Sequence, residues 1–279
     1  MTDLSRYREF ATQLSTAVQP SATAPTEPVA PSRAVIVVPC YNEAARLDVK
    51  AFLSALPNLP GVDFLMVDDG STDGTHFLLE SLASQAPDRV SVLMMDSNSG
   101  KAEAVRQGLL AASSRGAAFV GFWDADLATP LHAIGDMLRL GERFDDVAVI
   151  FGSRRSILGH RIRRDASRRM VSLICNLMAR LALGMPVGDT QCGAKLLRNT
   201  SQLRQALEKP FAAGWLFDVE LFARIAARVA NRHDAFYEQP LAEWHEVPGS
   251  KVSARAVLRA GTQMLRLIAL NRFGVSSHV

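Results

Sequence analysis

The sequence predicts an α/β fold built on a doubly wound, mostly parallel sheet. Three observations carry this. Short apolar runs suited to buried strands alternate with helical patterns from residue 34 to residue 151. Polar motifs follow three of these runs directly, and ligands on an open parallel sheet sit at the carboxyl ends of the strands. The chain has 279 residues, 48% of them hydrophobic, which is enough for a substantial core.

In chain order, residues 3–18 suit a short helix. Residues 20–32, PSATAPTEPVAPS, are too rich in Pro, Ala, Ser and Thr to bury a core and read as a flexible linker. The folded domain is expected to span residues 33–279. Strands are expected at 34–38, 64–67, 90–95, 119–123 and 147–151, with helices at about 43–56, 72–86, 101–114 and 131–140. The second half is less regular. It predicts a helix over 165–183, another beginning near Phe217 and a last amphipathic one over 253–273.

Bulk properties narrow the function. A formal net charge of +3 does not argue for nucleic acid. Cys40, Cys175 and Cys192 form no CxxC pair and no zinc spacing, and free thiols fit a reducing compartment. Residues 1–19 lack the apolar core of a signal peptide, and no run of about 18 apolar residues occurs. A cytoplasmic location is expected, peripheral on the membrane face if the substrate is a lipid.

The first strand is followed by Pro39-Cys40-Tyr41-Asn42-Glu43. Tyr41 suits stacking on a base and Glu43 suits a ribose or base contact; a plain loop with an Asn–Glu helix start is the alternative. After the second strand comes Asp68-Asp69-Gly70-Ser71-Thr72-Asp73-Gly74-Thr75, two carboxylates able to read a nucleobase edge. Asp69, Ser71, Asp73, Gly74 and Glu80 also fit the register of a calcium loop, but that loop needs a helix before it, and 64–67 reads as a strand. Asn98-Ser99-Gly100-Lys101-Ala102 resembles a phosphate loop without its first glycine or its metal-binding hydroxyl. Lys101 at a helix start still suits an anionic ligand.

Trp123-Asp124-Ala125-Asp126 ends the fourth strand. Two carboxylates one residue apart suit a hard divalent ion that bridges a diphosphate. An aspartyl-phosphatase pattern is the rival, but Thr129 comes one residue late, with Ala128 in its place. Between 151 and 180 lie Arg154, Arg155, Arg161, Arg163, Arg164, Arg168, Arg169 and Arg180. Guanidinium groups suit phosphate, whereas the aromatic interleaving of nucleic-acid sites is absent. The segments at 188–193, 215–220 and 244–251 add Asp189, Asp218, Glu220, His245 and Lys251, which spacing alone does not assign. Arg255, Arg259 and Arg266 form one side of the last helix, suited either to an anionic membrane or to packing on the domain.

VPCYNEAARL, VDDGSTDGT, NSGKAEAV, DADLATP, GSRR, GDTQCGAKLL, GWLFDVELF and EWHEVPGSK occur in this order. Together they resemble glycosyltransferase family 2, over roughly residues 34–273, and most closely its dolichyl-phosphate β-glucosyltransferase branch with its bacterial relatives. The resemblance implies the Rossmann-like GT-A fold and an inverting transfer from a nucleoside diphosphate sugar, UDP-glucose foremost, to a polyprenyl phosphate. It implies a nucleotide pocket at Pro39, Tyr41, Glu43 and Asp69. It places Asp124 near ribose and metal, and Asp126 as the main ligand of Mg²⁺ or Mn²⁺. Arg154 and Arg168 would meet the acceptor phosphate, and Lys251 a phosphate of donor or acceptor. A hydroxyl acceptor on a soluble molecule or protein would instead need a base, with Asp218 the first candidate. Two features depart from the pattern. The eukaryotic relatives of this branch resemble anchored proteins, and Ala128 stands where the polyprenyl-phosphate mannosyltransferases carry Gln, which favours glucose over mannose. A non-catalytic module docking its arginines on anionic membrane or RNA is the expectation from another class, and the paired Asp124 and Asp126 speak against it.

Overall fold

Each buried strand is capped by helices that bury one face on it. The computed structural model of the protein describes residues 34–155, 157–163 and 166–247. The expected N-terminal helix and linker, Arg164, Lys251 and the C-terminal helix with Arg255, Arg259 and Arg266 lie outside the described residues.

The first half alternates β1 (Ala34–Cys40), α1 (Val49–Ala55), β2 (Val62–Asp68), α2 (Thr75–Gln85), β3 (Val90–Met94), α3 (Lys101–Ser113), β4 (Phe119–Trp123) and α4 (Ala133–Arg143). The second half contains β5 (Val149–Ser153), β6 (Arg161–Arg163), α5 (Ala166–Leu183), β7 (Ala194–Arg198), α6 (Ser201–Leu207), α7 (Phe217–Ala226), β8 (Phe236–Pro240) and β9 (Glu243–His245). The main sheet has seven strands in the order β3-β2-β1-β4-β7-β5-β8, and β6 and β9 form a small parallel pair.

Four of the five expected strands fall where the apolar runs lie; the fifth is displaced to Val149–Ser153. Two differences matter. The helix expected from residue 43 starts at Val49, with Asp48 capping the Ala51 amide, because residues 41–46 are drawn into a loop that bonds to the next one. The sheet is also not purely parallel. β7 runs antiparallel to both β4 and β5, an insertion the strand–helix alternation does not announce. Its reversal brings residues 189–193 to the same edge as the carboxyl ends of β1, β2 and β4.

Alternate strand residues feed two cores. Ile36, Phe64, Met66 and Phe119 pack with α1, α2 and α4 on one face. Val37, Val67, Phe122 and Phe151 pack with α3, α5, α6 and α7 on the other. Arg198, at the end of β7, pins the α4–β5 connection by donating to the carbonyls of Gly141 (2.6 Å), Phe144 (2.9 Å) and Val147 (3.1 Å). Its guanidinium also lies 4.9 Å from the Phe119 ring centre. Arg198→Ala is expected to lower stability by about 1–3 kcal/mol, from unmade hydrogen bonds, read as a fall in the denaturant midpoint with an unchanged m-value.

Candidate active site

The loops after β1 and β2 lock into each other. Asn42 adopts a left-handed backbone with φ 53°, and its side-chain oxygen accepts from the Thr72 amide at 2.9 Å. Ser71 Oγ accepts from the Asn42 amide, Thr75 Oγ1 from that of Glu43, and Asp73 from that of Ala44. Asp73 also caps Thr75, and the Thr75 hydroxyl bond holds its carboxyl below the usual range. These groups are therefore committed to the chain itself and not to a calcium ion.

Asp69 is committed in the same way. Its two oxygens accept from the amides of Ser99 (2.7 Å) and Gly100 (2.9 Å), so it splints the loop that leads into α3. Gly70 permits this approach. Its φ is +65°, and a Cβ there would lie 2.5 Å from the Ser97 carbonyl carbon. Of the other expected nucleotide contacts, Pro39 sits in β1 opposite Val67, and Tyr41 is half-buried just beyond. The Glu43 carboxylate is gripped by Arg46 at 2.5 and 2.9 Å, a partner that its i,i+3 spacing could have disclosed.

The acidic turn after β4 is built by its surroundings. Trp123 Nε1 donates to the Thr129 carbonyl at 2.8 Å and closes the turn, in which Leu127 takes φ 53°. The Asp124 amide donates to the Gly193 carbonyl at 3.0 Å. A Cβ on Gly193 would lie 1.9 Å from Asp124 Oδ2, so the carboxylate occupies space that only glycine leaves. Asp126 Oδ1 accepts from the Ala128 amide at 3.1 Å. Burial, followed by the Asp124 charge, pushes the Asp126 carboxyl up, against the pull of Lys101 and Arg46.

Lys101 joins this turn from the start of α3, with Nζ 2.5 Å from Asp124 Oδ1. The Lys101 side chain is 48% exposed; crowding around it disfavours its charge, but Asp124, Asp218 and Asp126 outweigh that and hold the ammonium above its ordinary range. Lys101, Asp124 and Asp126, remote in sequence, thus converge at the carboxyl edge of the sheet, with Asp218 electrostatically coupled to them. Asp218 lies in the first turn of α7, and the fully buried Lys195 holds it, Nζ 2.7 Å from Oδ1. Sequence reasoning missed Lys195. The signal was there in principle: a lysine inside the apolar run Ala194–Leu197 must find an anion if that run is a buried strand.

Arg154, at the end of β5, is paired too. Its Nε and Nη2 donate to Asp189 at 2.7 Å each, its amide donates to Asp189 at 3.0 Å, and its guanidinium lies 5.4 Å from the Trp244 ring centre. Burial opposes its charge, but the Asp189 bonds hold its pKa above the ordinary arginine range. Arg155 and Arg161 are exposed nearby in sequence; Arg168 falls within α5, with its side chain outside the described residues.

Asp124 and Asp126 present oxygen donors suited to a hard divalent cation. Among the described residues no group of three or more His, Cys, Asp or Glu is placed to hold a metal. Two carboxylates fit an ion that fills its remaining positions with diphosphate oxygens and water. The Asp69 splint yields a test: Asp69→Asn is expected to lower stability by about 1–3 kcal/mol, by removing a charged acceptor from two amides. Hydrogen exchange should accelerate at Ser99 and Gly100 before it does in β1 or β4.

The geometry agrees with what known proteins show. Residues 35–203 match the model of Glycosyl transferase family 2. The chain is 30% identical to the polyprenol monophosphomannose synthase of Mycolicibacterium smegmatis, over 72% of this chain and 73% of that one. It is 31% identical to the human dolichyl-phosphate beta-glucosyltransferase, over 78% of this chain and 68% of the other. A crystal structure of Mycobacterium tuberculosis glucosyl-3-phosphoglycerate synthase with Mn²⁺ and UDP-glucose superimposes with a TM-score of 0.61 at 18% identity, over 88% and 81% of the two chains. That likeness establishes the GT-A type of fold. With its sheet, its carboxylate turn and this family match together, the chain belongs to glycosyltransferase family 2 and is a hexosyltransferase-type enzyme.

Proposed function

We propose that this enzyme transfers glucose from UDP-glucose to a polyprenyl phosphate at a membrane surface, with inversion at the anomeric carbon. The observation that carries the acceptor class is the Lys195–Asp218 pair. A hydroxyl acceptor needs a base, and the Asp218 carboxylate is taken up by a buried ammonium. A phosphate acceptor arrives already anionic and needs none. The names of the relatives, polyprenol and dolichyl-phosphate enzymes, support the same choice.

In this reading Tyr41 and Glu43 border the nucleotide pocket, and Asp69 serves it by holding the 97–100 loop. Asp124 and Asp126 hold Mg²⁺ or Mn²⁺, which when bound neutralises charge on the leaving diphosphate. Lys101 adds a fixed positive charge on the same side. Arg154 is the first candidate for the acceptor phosphate, and Arg168 and Lys251 are further candidates by motif. No described helix is long and apolar enough to cross a membrane. The exposed Leu158, Leu177 and Leu181 and the basic residues around them suit surface attachment.

Labelled glucose should pass from UDP-glucose to polyprenyl phosphate with Mn²⁺ or Mg²⁺ present, and Asp126→Ala should lose at least about a hundredfold of that rate. UDP release without labelled lipid would discard the lipid acceptor and favour a hydroxyl one. Acidification gives a second test. Asp126 keeps its proton to a higher pH than an ordinary carboxylate, so metal entry must expel it. Mn²⁺ affinity, read by electron paramagnetic resonance, is expected to fall as pH drops, by up to about tenfold per unit below that pKa; an affinity flat from pH 8 to pH 5 would contradict the assignment.

A further inference from the structure

Lys195 is fully buried, lies in an inner strand of the seven-stranded sheet, and has no contact with donor or acceptor in the roles above. In register it stands opposite Phe122 of β4 and Phe151 of β5. Its ammonium lies 5.0 Å from the Phe122 ring centre and 5.9 Å from that of Phe222. It donates to the Cys192 carbonyl and pairs with Asp218 at 2.7 Å. A buried lysine this placed costs desolvation that a Met or Leu of similar volume would not, and buried ion pairs are seldom retained for stability alone. What the pair controls is the question.

The answer lies in what faces Asp218. Lys195 of β7 lies 2.7 Å from Oδ1, the Gln191 amide lies 3.4 Å from Oδ2, and the charges of Lys101 and Asp124 act on the carboxylate as well. The Cys192 thiol, pushed up to about 11 by burial, stays neutral beside Lys195. Two cation–carboxylate pairs therefore stand at this edge, Lys195–Asp218 from the sheet interior and Lys101–Asp124 at the turn after β4. We propose that Lys195 is a positioning residue for sugar transfer, which fixes the Asp218 carboxylate at the carboxyl edge of the sheet, where its charge acts on the Lys101–Asp124 pair. Lys195 touches no substrate and acts through Asp218. This rests on the transferase reading but not on the identity of the acceptor.

Burial already raises the Asp218 carboxyl, with Lys195 and Lys101 pulling it back. Lys195→Met removes the first of these charges, so Asp218 should keep its proton to a higher pH than it does in the wild type. Rates of Lys195→Met, Lys195→Arg, Asp218→Asn and the Lys195→Met/Asp218→Asn pair are measured from pH 6 to 9, with UDP affinity by calorimetry and thermal unfolding alongside. The expectation for Lys195→Met is a loss of roughly tenfold or more in kcat at pH 7, narrowing towards pH 9, with KM for the sugar nucleotide changed by less than about threefold. Lys195→Arg should recover part of the loss. The double variant should be no slower than Asp218→Asn, because both changes silence one carboxylate.

A Lys195→Met loss that is the same at every pH and multiplies with that of Asp218→Asn would show simple core damage and overturn the proposal, as would an unchanged rate. If Lys195→Met does not fold, Lys195→Gln carries the same expectations, since it keeps a donor for the Cys192 carbonyl and loses the charge. If wild type transfers nothing to polyprenyl phosphate, the acceptor reading fails by itself. The same variants are then compared on metal-dependent hydrolysis of UDP-glucose, where the pH signature and the non-additivity decide on Lys195 alone.

Discussion

Strand β7 runs against both of its neighbours, and its register places three features that a parallel strand could not. Gly193, just before the strand, meets Asp124 just after β4, and its missing side chain is the space the carboxylate fills. Two residues on, Lys195 points into the helical layer beneath α7 and meets Asp218. Ahead of the strand, Asp189 reaches the end of β5 and takes the Arg154 guanidinium. Reversing one strand turns its amino end towards the carboxyl ends of the others, so two sequence regions that would lie on opposite edges share one.

The polar residues of the site divide by what they bond. Asp69, Asp73, Asn42 and Ser71 spend their oxygens on backbone amides of neighbouring loops. They tie the loops after β1, β2 and β3 to one another, so that this rim is ordered before anything binds to it. Asp124, Asp126, Lys101 and Asp218 instead face other charges. A cluster of mutually facing charges at the carboxyl edge of an open sheet is where such folds place their ligands. Arg154 belongs with the second group, since its guanidinium pairs with Asp189.

Much of this was legible in the chain. Periodicity placed the first-half strands, because a strand buried on both faces must be apolar throughout. The motif order identified the family, and the DAD sequence placed two carboxylates one residue apart at the end of β4. Other parts were misjudged or silent. The helix expected at residue 43 gave way to a loop whose bonds run to residues about thirty positions away, beyond the reach of local propensity. The bonds from Asp69 to the Ser99 and Gly100 amides, about thirty positions on, are equally silent in the local sequence.

What the sequence by itself determined is the alternating fold, the family and the residue types of the carboxylate edge, since these depend on local pattern and linear motif order. The tertiary structure alone decided the antiparallel course of β7, the commitment of Asp69 and Arg154 to partners, and the burial of Lys195 against Asp218. These depend on which strands become neighbours and on the direction in which each runs. Hydrogen bonds and ion pairs act over about 3 Å in space, whatever the separation along the chain, so a charged residue's partner, and with it its role, is set only once the chain has closed.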